Sequence, residues 1–420
     1  MNWIRWFFSQ PVSAYLLSAV AACTVGGRAP AQAPVRVTLN GTSVRIEGYR
    51  VREYSSSTAS YEPLREMAVD AAYLPLPPST ASGLGLTQYA DANGEVPIPA
   101  GYYPYYFNLA GPRSTRVYVR EEHASTSQPT TFTTLNPVVH VNFLSGTPVL
   151  TNFPTQNAGI KVGHVSAYLN ALEALDALEP WLGPTDQVIT VAFRPYDTPT
   201  SASMQYSSAT LHINCPEGPP WWGVAPDIDG VQAPRHLTVM AHEIAHYLTF
   251  LNWNSLGYPG WERFSEGLAD FFGAYVAGTH LIGVGMPPQG SEPTLPRSVL
   301  NYVRYPPVWN QDPHLQGRIL SGALWDTRLV LLAQGRLSGL PERRLRNVLA
   351  LHPLDEPDYL LLLLEEDDDD GNLLNGTPHA YAYWVGFTRN HSIPWPTGVP
   401  IPNIARIQRL PPARQGHGPQ

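Results

Sequence analysis

The sequence predicts an α+β fold in two parts, a small β-sandwich followed by a larger mixed domain of strands and helices. Three observations carry that expectation. Across residues 35–130 the chain runs in short alternating stretches, "TSVRIEGYRV", "QYADANGEVPIP" and "RSTRVYVREE", the period-two pattern of half-buried strands. Beyond residue 135 β-prone runs such as "DQVITVAF" alternate with stretches of helical apolar spacing, "KVGHVSAYLNALEALDALEPW" among them. The 43 prolines and 34 glycines in 420 residues imply many turns and disfavour helical bundles and coiled coils. Only 14% of residues are charged and 43% are hydrophobic, so the chain can fill a sizeable core rather than stay solvated.

In chain order, residues 1–23 read as an export signal, with Arg5 ahead of an apolar stretch and small residues at its end. Pro11 and the short apolar length argue against a membrane-spanning helix, which needs about 20 apolar residues. The ending "VAAC" resembles the lipobox of bacterial lipoproteins, with Cys23 as the lipidated residue; the rival reading is cleavage after Ala21. Either reading puts the mature chain outside the cytoplasm, as a lipid-anchored cell-envelope protein or a secreted one. Lipidation of Cys23 leaves Cys215 alone and no disulfide to explain.

Residues 24–34 form a small-residue linker and residues 35–130 the sandwich, in which Asn93-Gly94 is a hairpin signal because both tolerate φ > 0. This part resembles the prealbumin-like accessory modules of secreted bacterial hydrolases. Residues 135–392 make the mixed domain: a strand pair in "SASMQYSSATLHIN", then helices near 235–251, 262–278, 314–335 and 340–352. A last helix is expected from Thr377 as N-cap with Pro378 at its first position. The proline-rich tail, 393–420, wraps the surface or stays disordered. A net charge of -8, with no Lys/Arg cluster, argues against nucleic acid as a partner.

The chemistry concentrates in "VMAHEIAHYLTF". On a helix, positions i and i+4 share a face, so His242 and His246 can aim ring nitrogens at one ion. Glu243 is rotated roughly 100° from His242, beside the ion rather than on it, where a carboxylate can take a proton from water. Zinc lowers the pKa of the water it holds toward about 7, and the glutamate completes the deprotonation. A catalytic zinc needs a third protein ligand and an open fourth position. The next helix, "RFSEGLADFFGAYV", offers Glu266 as that ligand, with Asp270 on the same face to accept the outer N–H of a zinc histidine.

"HEIAH", nineteen residues and then "EGLAD" resembles the zinc signature of the gluzincin metallopeptidases, of the thermolysin and fungalysin kind. The resemblance implies a thermolysin-like domain holding Zn2+ on His242, His246 and Glu266, with Glu243 as general base and Asp270 behind a histidine. "DPHLQGRILSGALWDTR" resembles the family's His-x-x-Gly segment and implies His314 as the oxyanion donor, with Asp312 available to orient its ring. Tyr258 is the nearest match to the family's tyrosine between the two zinc helices. The arginine that binds the substrate carbonyl in the family has three candidates here, Arg297, Arg304 and Arg318. A Gly-Ala-Met-Glu-Asn substrate motif, carried by aminopeptidases of the clan, is missing. The expectation is therefore an exported zinc endopeptidase acting on a peptide or protein. Two alternatives stand beside it: a zinc aminopeptidase, and a non-catalytic surface binding protein with a structural zinc. The edge strand near "SASMQYSSATLHI" is the candidate for pairing with an extended peptide.

"EEDDDDGNLLNGTPH" is a second candidate metal region, for Ca2+ near Asp368 and Asp370, although it does not fit an EF-hand loop. The rival is a solvated acidic turn before a capped helix. His379 is held in reserve as an active-site histidine. His164, His212, His236 and His280 read as ordinary histidines, and Cys215 lacks the context of a nucleophile.

Overall fold

A computed structural model describes residues 34–50, 60–75, 84–110, 112–124, 132–135, 138–143, 149–151, 162–184, 187–195, 203–207, 210–217, 236–253, 261–284, 297–307, 312–336, 344 and 347–402. Helix and strand are mixed along the chain, an α+β arrangement. The expected export signal, with Cys23, and the linker as far as residue 33 lie outside the described residues, as does the tail from residue 403. Among the described residues no helix is long and apolar enough to cross a membrane.

Among the described residues, three sheets and one ribbon organise the strands. The first runs β1 (Val35–Asn40), β2 (Ser43–Arg50) and β3 (Ser60–Pro63), with β6 (Glu95–Pro97) also paired to β2. The second runs β11 (Val149–Thr151), β10 (Val138–Asn142), β7 (Tyr102–Ala110), β4 (Ala68–Pro75) and β5 (Leu84–Tyr89), antiparallel throughout. The third runs β13 (Ser203–Ser207), β14 (Thr210–Glu217), β12 (Ile189–Pro195), β8 (Val117–Ala124) and β9 (Phe132–Leu135). In it β12 lies parallel to both neighbours, and the outer pairs are antiparallel. A ribbon joins β15 (Leu281–Ile282) to β16 (Arg297–Ser298).

The alternation in β2 does what its sequence dictates: Val44 and Ile46 are fully buried while their neighbours are partly exposed. The Asn93-Gly94 turn also forms, with Gly94 at φ 72° and Asp91 Oδ1 accepting from the N–H groups of Asn93 and Glu95. It does not close a hairpin. β5 before it belongs to the second sheet and β6 after it to the first, so the turn carries the chain between sheets.

Strands from both sides of the expected boundary at 130–135 share two sheets: β10 pairs with β7, and β12 with β8. The helix α1 (Val162–Leu182) covers β2 and β8 together. Arg50, 2% exposed, reaches from β2 to Asn170 on α1 at 2.9 Å and to Glu173 at 2.6 Å. A buried guanidinium needs such partners, and here they tie the first sheet to the larger part of the chain.

The remaining helices carry the site. α2 (Leu237–Trp253) packs on α1, α3 (Trp261–Ala277) on α2, and α4 (Pro313–Ala333) on α3. α5 (Glu356–Asp367) follows, capped by Asp355 through the N–H of Asp358. The last helix, α6 (Ala380–Tyr383), continues as a π-helical stretch, Trp384–Asn390. Its N-cap is His379, two residues later than the expected Thr377. Asp367, at the end of α5, explains the delay: its carboxylate accepts from the His379 N–H at 2.7 Å and meets the His379 ring at 2.7 Å. The tail wraps where it is described, with Ile393 and Val399 buried and the Trp395 indole N–H donating to Val399 O.

Candidate metal centre

α2 is apolar nearly all round. Met240, Ala241, Ile244, Ala245, Tyr247 and Leu248 are each 2% exposed or less. Such a helix belongs in a core. Burying Met240, Ile244, Tyr247 and Leu248 stabilises by roughly 6–12 kcal/mol. That offsets a penalty of about 1–3 kcal/mol for each polar group left short of a partner. This core holds His242 at 4% and Glu243 at 5% exposure. α3 approaches closely at Gly273, where a Cβ would stand 2.6 Å from Thr238 O and 3.4 Å from His242 Cβ.

Three side chains converge. His242 Nε2 and His246 Nε2 are 3.0 Å apart, with Glu266 Oε2 3.4 Å from the first and Glu266 Oε1 3.5 Å from the second. Donors held at 2.0–2.1 Å by a tetrahedral ion are separated by about 3.3 Å, a spacing close to these three contacts, in which the carboxylate turns one oxygen to each histidine. Glu266 Oε2 is buried and makes no hydrogen bond, a cost that a cation at the centre of the three would remove. The His242-His246-Glu266 group could hold a metal ion.

The outer nitrogens are fixed from behind. His246 Nδ1 is 2.6 Å from Ser265 Oγ. His242 Nδ1 is 2.9 Å from Asp270 Oδ1, too oblique for a well-aligned hydrogen bond but close enough for the carboxylate to hold the ring. With a proton kept on each Nδ1, the Nε2 atoms are the ones that face each other and Glu266 and that an ion would engage. Asp270 is gripped in turn by Arg297, whose Nη2 donates at 2.8 Å to Oδ1 and whose Nε donates at 3.1 Å to Oδ2. Burial alone would raise the Asp270 pKa, but the Arg297 charge and the His242 ring bring it down to about 2. Burial works against a charged His242, and the Asp270 and Glu266 carboxylates outweigh it, lifting the metal-free ring to about 10. Burial also pushes Glu243 above the usual carboxylate range, only partly countered by the two histidines.

His314 arrives on the first turn of α4. Asp312 caps that helix, its Oδ1 accepting from His314 N–H at 2.8 Å, and Pro313 occupies the first turn, where its missing N–H costs nothing. The same Oδ1 lies 2.6 Å from His314 Nδ1, so the cap also orients the ring. His314 Nε2 then faces Glu266 Oε2 at 3.2 Å.

No family model matches the chain, and no match is found among curated proteins. The geometry has to speak for itself.

His242, Glu243, His246, Glu266, Asp270 and His314 therefore come together from three helices, while Tyr258 lies outside the described residues. Of the three candidate arginines, Arg297 is committed to Asp270, and Arg304 is exposed. His379 stands on Asp367, which also takes the guanidinium of Arg344. His164 and His236 are buried, and the His280 ring meets Ser298 Oγ at 3.1 Å. The side chains of His212 and Cys215 lie outside what the structure describes. The Asp368, Asp369 and Asp370 carboxylates approach within 4.8 Å of one another and form a second group able to hold an ion. Asp370 is already engaged by Asn375 Nδ2 at 2.6 Å and by the Asn372 N–H at 2.9 Å. Sequence reasoning missed Ser265 and the grip of Arg297 on Asp270. Both contacts cross between elements, and no spacing in the sequence signals them.

Proposed function

We propose that this chain is an exported zinc endopeptidase with a thermolysin-like catalytic domain. The observation that carries the reading is the convergence of the His242 and His246 Nε2 atoms and the Glu266 carboxylate at contacts of 3.0–3.5 Å, with Glu243 on the helix of the two histidines and His314 facing Glu266. A nitrogen-nitrogen-carboxylate donor set of this size suits zinc better than calcium, which prefers six to eight oxygens. A zinc ion held there would polarise a peptide carbonyl and acidify water.

The chain's own residues supply the rest. Glu243 accepts the proton of the attacking water and passes it to the departing amine, a task matched by its raised pKa. His314, oriented by Asp312, donates from Nε2 to the carbonyl oxygen as negative charge develops, worth about 3–4 kcal/mol of barrier. Asp270 and Ser265 hold the two histidine rings, and Arg297 holds Asp270. The strand β13 ends its sheet and packs beside α2, which suits it to pair with the main chain of an extended substrate. That pairing favours internal cleavage of peptides of varied sequence. Export, with or without a lipid on Cys23, rests on the character of residues 1–23.

The test is to determine metal content of the purified protein and then map its cleavage sites in a long unstructured polypeptide. One zinc per chain with internal cuts supports the proposal. Removal of single residues from the N-terminus assigns an aminopeptidase instead, and bound zinc without cleavage assigns a binding protein.

A further inference from the structure

The α3–α4 crossing is built on two glycines. A Cβ on Gly267 would stand 2.6 Å from Gly317 O, and a Cβ on Gly317 would stand 2.6 Å from Gly267 N and 2.8 Å from Arg263 O. The obstacles are backbone atoms on the facing helix, so no rotamer change relieves them. Restoring an ordinary contact of 3.4 Å requires the helices to part by about 0.8 Å. Gly267 follows Glu266 directly, and Gly317 lies one turn beyond His314 on the same face of α4. Across this crossing His314 Nε2 meets Glu266 Oε2 at 3.2 Å. Glu266 lies at this crossing, but the contact that brings α3 to the two histidines of α2 is made separately, at Gly273.

We propose that Gly267 and Gly317 are positioning residues: their backbone contact sets the distance of His314 from the metal triad, and hence the rate of the reaction. The functional half of this inference rests on the peptidase reading; the geometric half does not. An added methyl on Gly317 presses on α3 at Gly267 N, Arg263 O and, at 3.1 Å, Glu266 C, so it parts His314 from Glu266 while α3 keeps its own contact with α2 at Gly273. Displacement on the scale of 1 Å can cost about 100-fold in rate.

The experiment compares Gly317→Ala with Gly386→Ala as a control. A Cβ on Gly386 would also press on α4, against Ala323 O and Thr327 Oγ1, but far from His314. Each variant is made in the parent and in a His314→Ala background. Zinc content, kcat and KM on a peptide, melting temperature and the His314 imidazole NMR resonances of the metal-free protein are read. The resonances are assigned by their loss in His314→Ala. Gly317→Ala should keep zinc, lose at least about tenfold in kcat with KM within about threefold, and shift the His314 resonances. In the His314→Ala background it should cost no further rate, since its effect runs through that ring. Gly386→Ala should leave kcat and the resonances unchanged even where stability falls. Unmoved resonances in Gly317→Ala, or an undiminished kcat loss in the His314→Ala background, overturn the inference. If Gly317→Ala does not fold, Gly267→Ala approaches the same contact from the other helix and is read the same way. A parent that cleaves no peptide ends the peptidase reading, and the resonance shift still decides the geometric claim.

Discussion

Replacing Asp270 by Asn separates two duties that one carboxylate performs. Asp270 is 2% exposed and lies between the guanidinium of Arg297, at 2.8 Å, and the outer nitrogen of His242, at 2.9 Å. Loss of its charge leaves the buried Arg297 without its hydrogen-bonded counter-ion, with only the more distant Glu266 and Glu243 carboxylates to offset it, and breaking such a buried pair typically costs about 3–5 kcal/mol of folding stability. It also frees the His242 ring, and loss of such a supporting group typically lowers metal affinity about 10–100-fold. The double variant Asp270→Asn with Arg297→Met removes the stranded charge and should recover much of the stability while recovering none of the affinity. The assays are urea unfolding of the metal-free protein and competition for zinc against a chelator. If the double variant regained parental zinc affinity, or Asp270→Asn bound zinc as well as the parent, the assignment of Asp270 to His242 would be refuted.

The remaining predictions follow from the same distances. Glu266→Ala should abolish stoichiometric zinc binding, whereas His314→Ala should keep zinc and lose about 100–1,000-fold in kcat, as metal analysis and peptide kinetics would show. Ser265→Ala should weaken zinc binding about 10-fold or more by freeing His246, with Ser265→Asn restoring part of it; equal affinity in all three proteins refutes the role. In the metal-free site the His242 pKa is raised to about 10, so that ring carries a proton at pH 8 that zinc must displace. Affinity should therefore rise with pH up to about 10, with release of about one proton per zinc at pH 8, measured by calorimetry in buffers of different ionisation enthalpy. No dependence on buffer contradicts that protonation state.

The site was far more legible in the sequence than the frame around it. His242, His246 and Glu243 could be assigned faces because a helix converts spacing into direction, and Glu266 with Asp270 extended the same logic to a second helix. Ser265 and Arg297 escaped because their partners lie on other elements, at positions fixed by packing alone. The helix Glu356–Asp367 was missed for a different reason. Its core "YLLLLL" has no period, although Asp355 as cap and Pro357 in the first turn marked its start. The Asn93-Gly94 signal correctly gave the turn but not the destination of the strands, since a turn fixes local φ and not which edge the next strand finds. Gly267 and Gly317 stand in plain sight in the sequence, but only the helix crossing shows why a side chain cannot replace either hydrogen.

The central claim is that His242, His246 and Glu266 hold zinc while Glu243 performs the proton transfer. Hydrolysis of a quenched peptide library by the zinc-loaded protein and its Glu243→Gln variant, measured side by side with metal content, tests it most directly. The account predicts internal cleavage by the parent and loss of that cleavage in the variant with zinc retained. Equal cleavage by both proteins would contradict it.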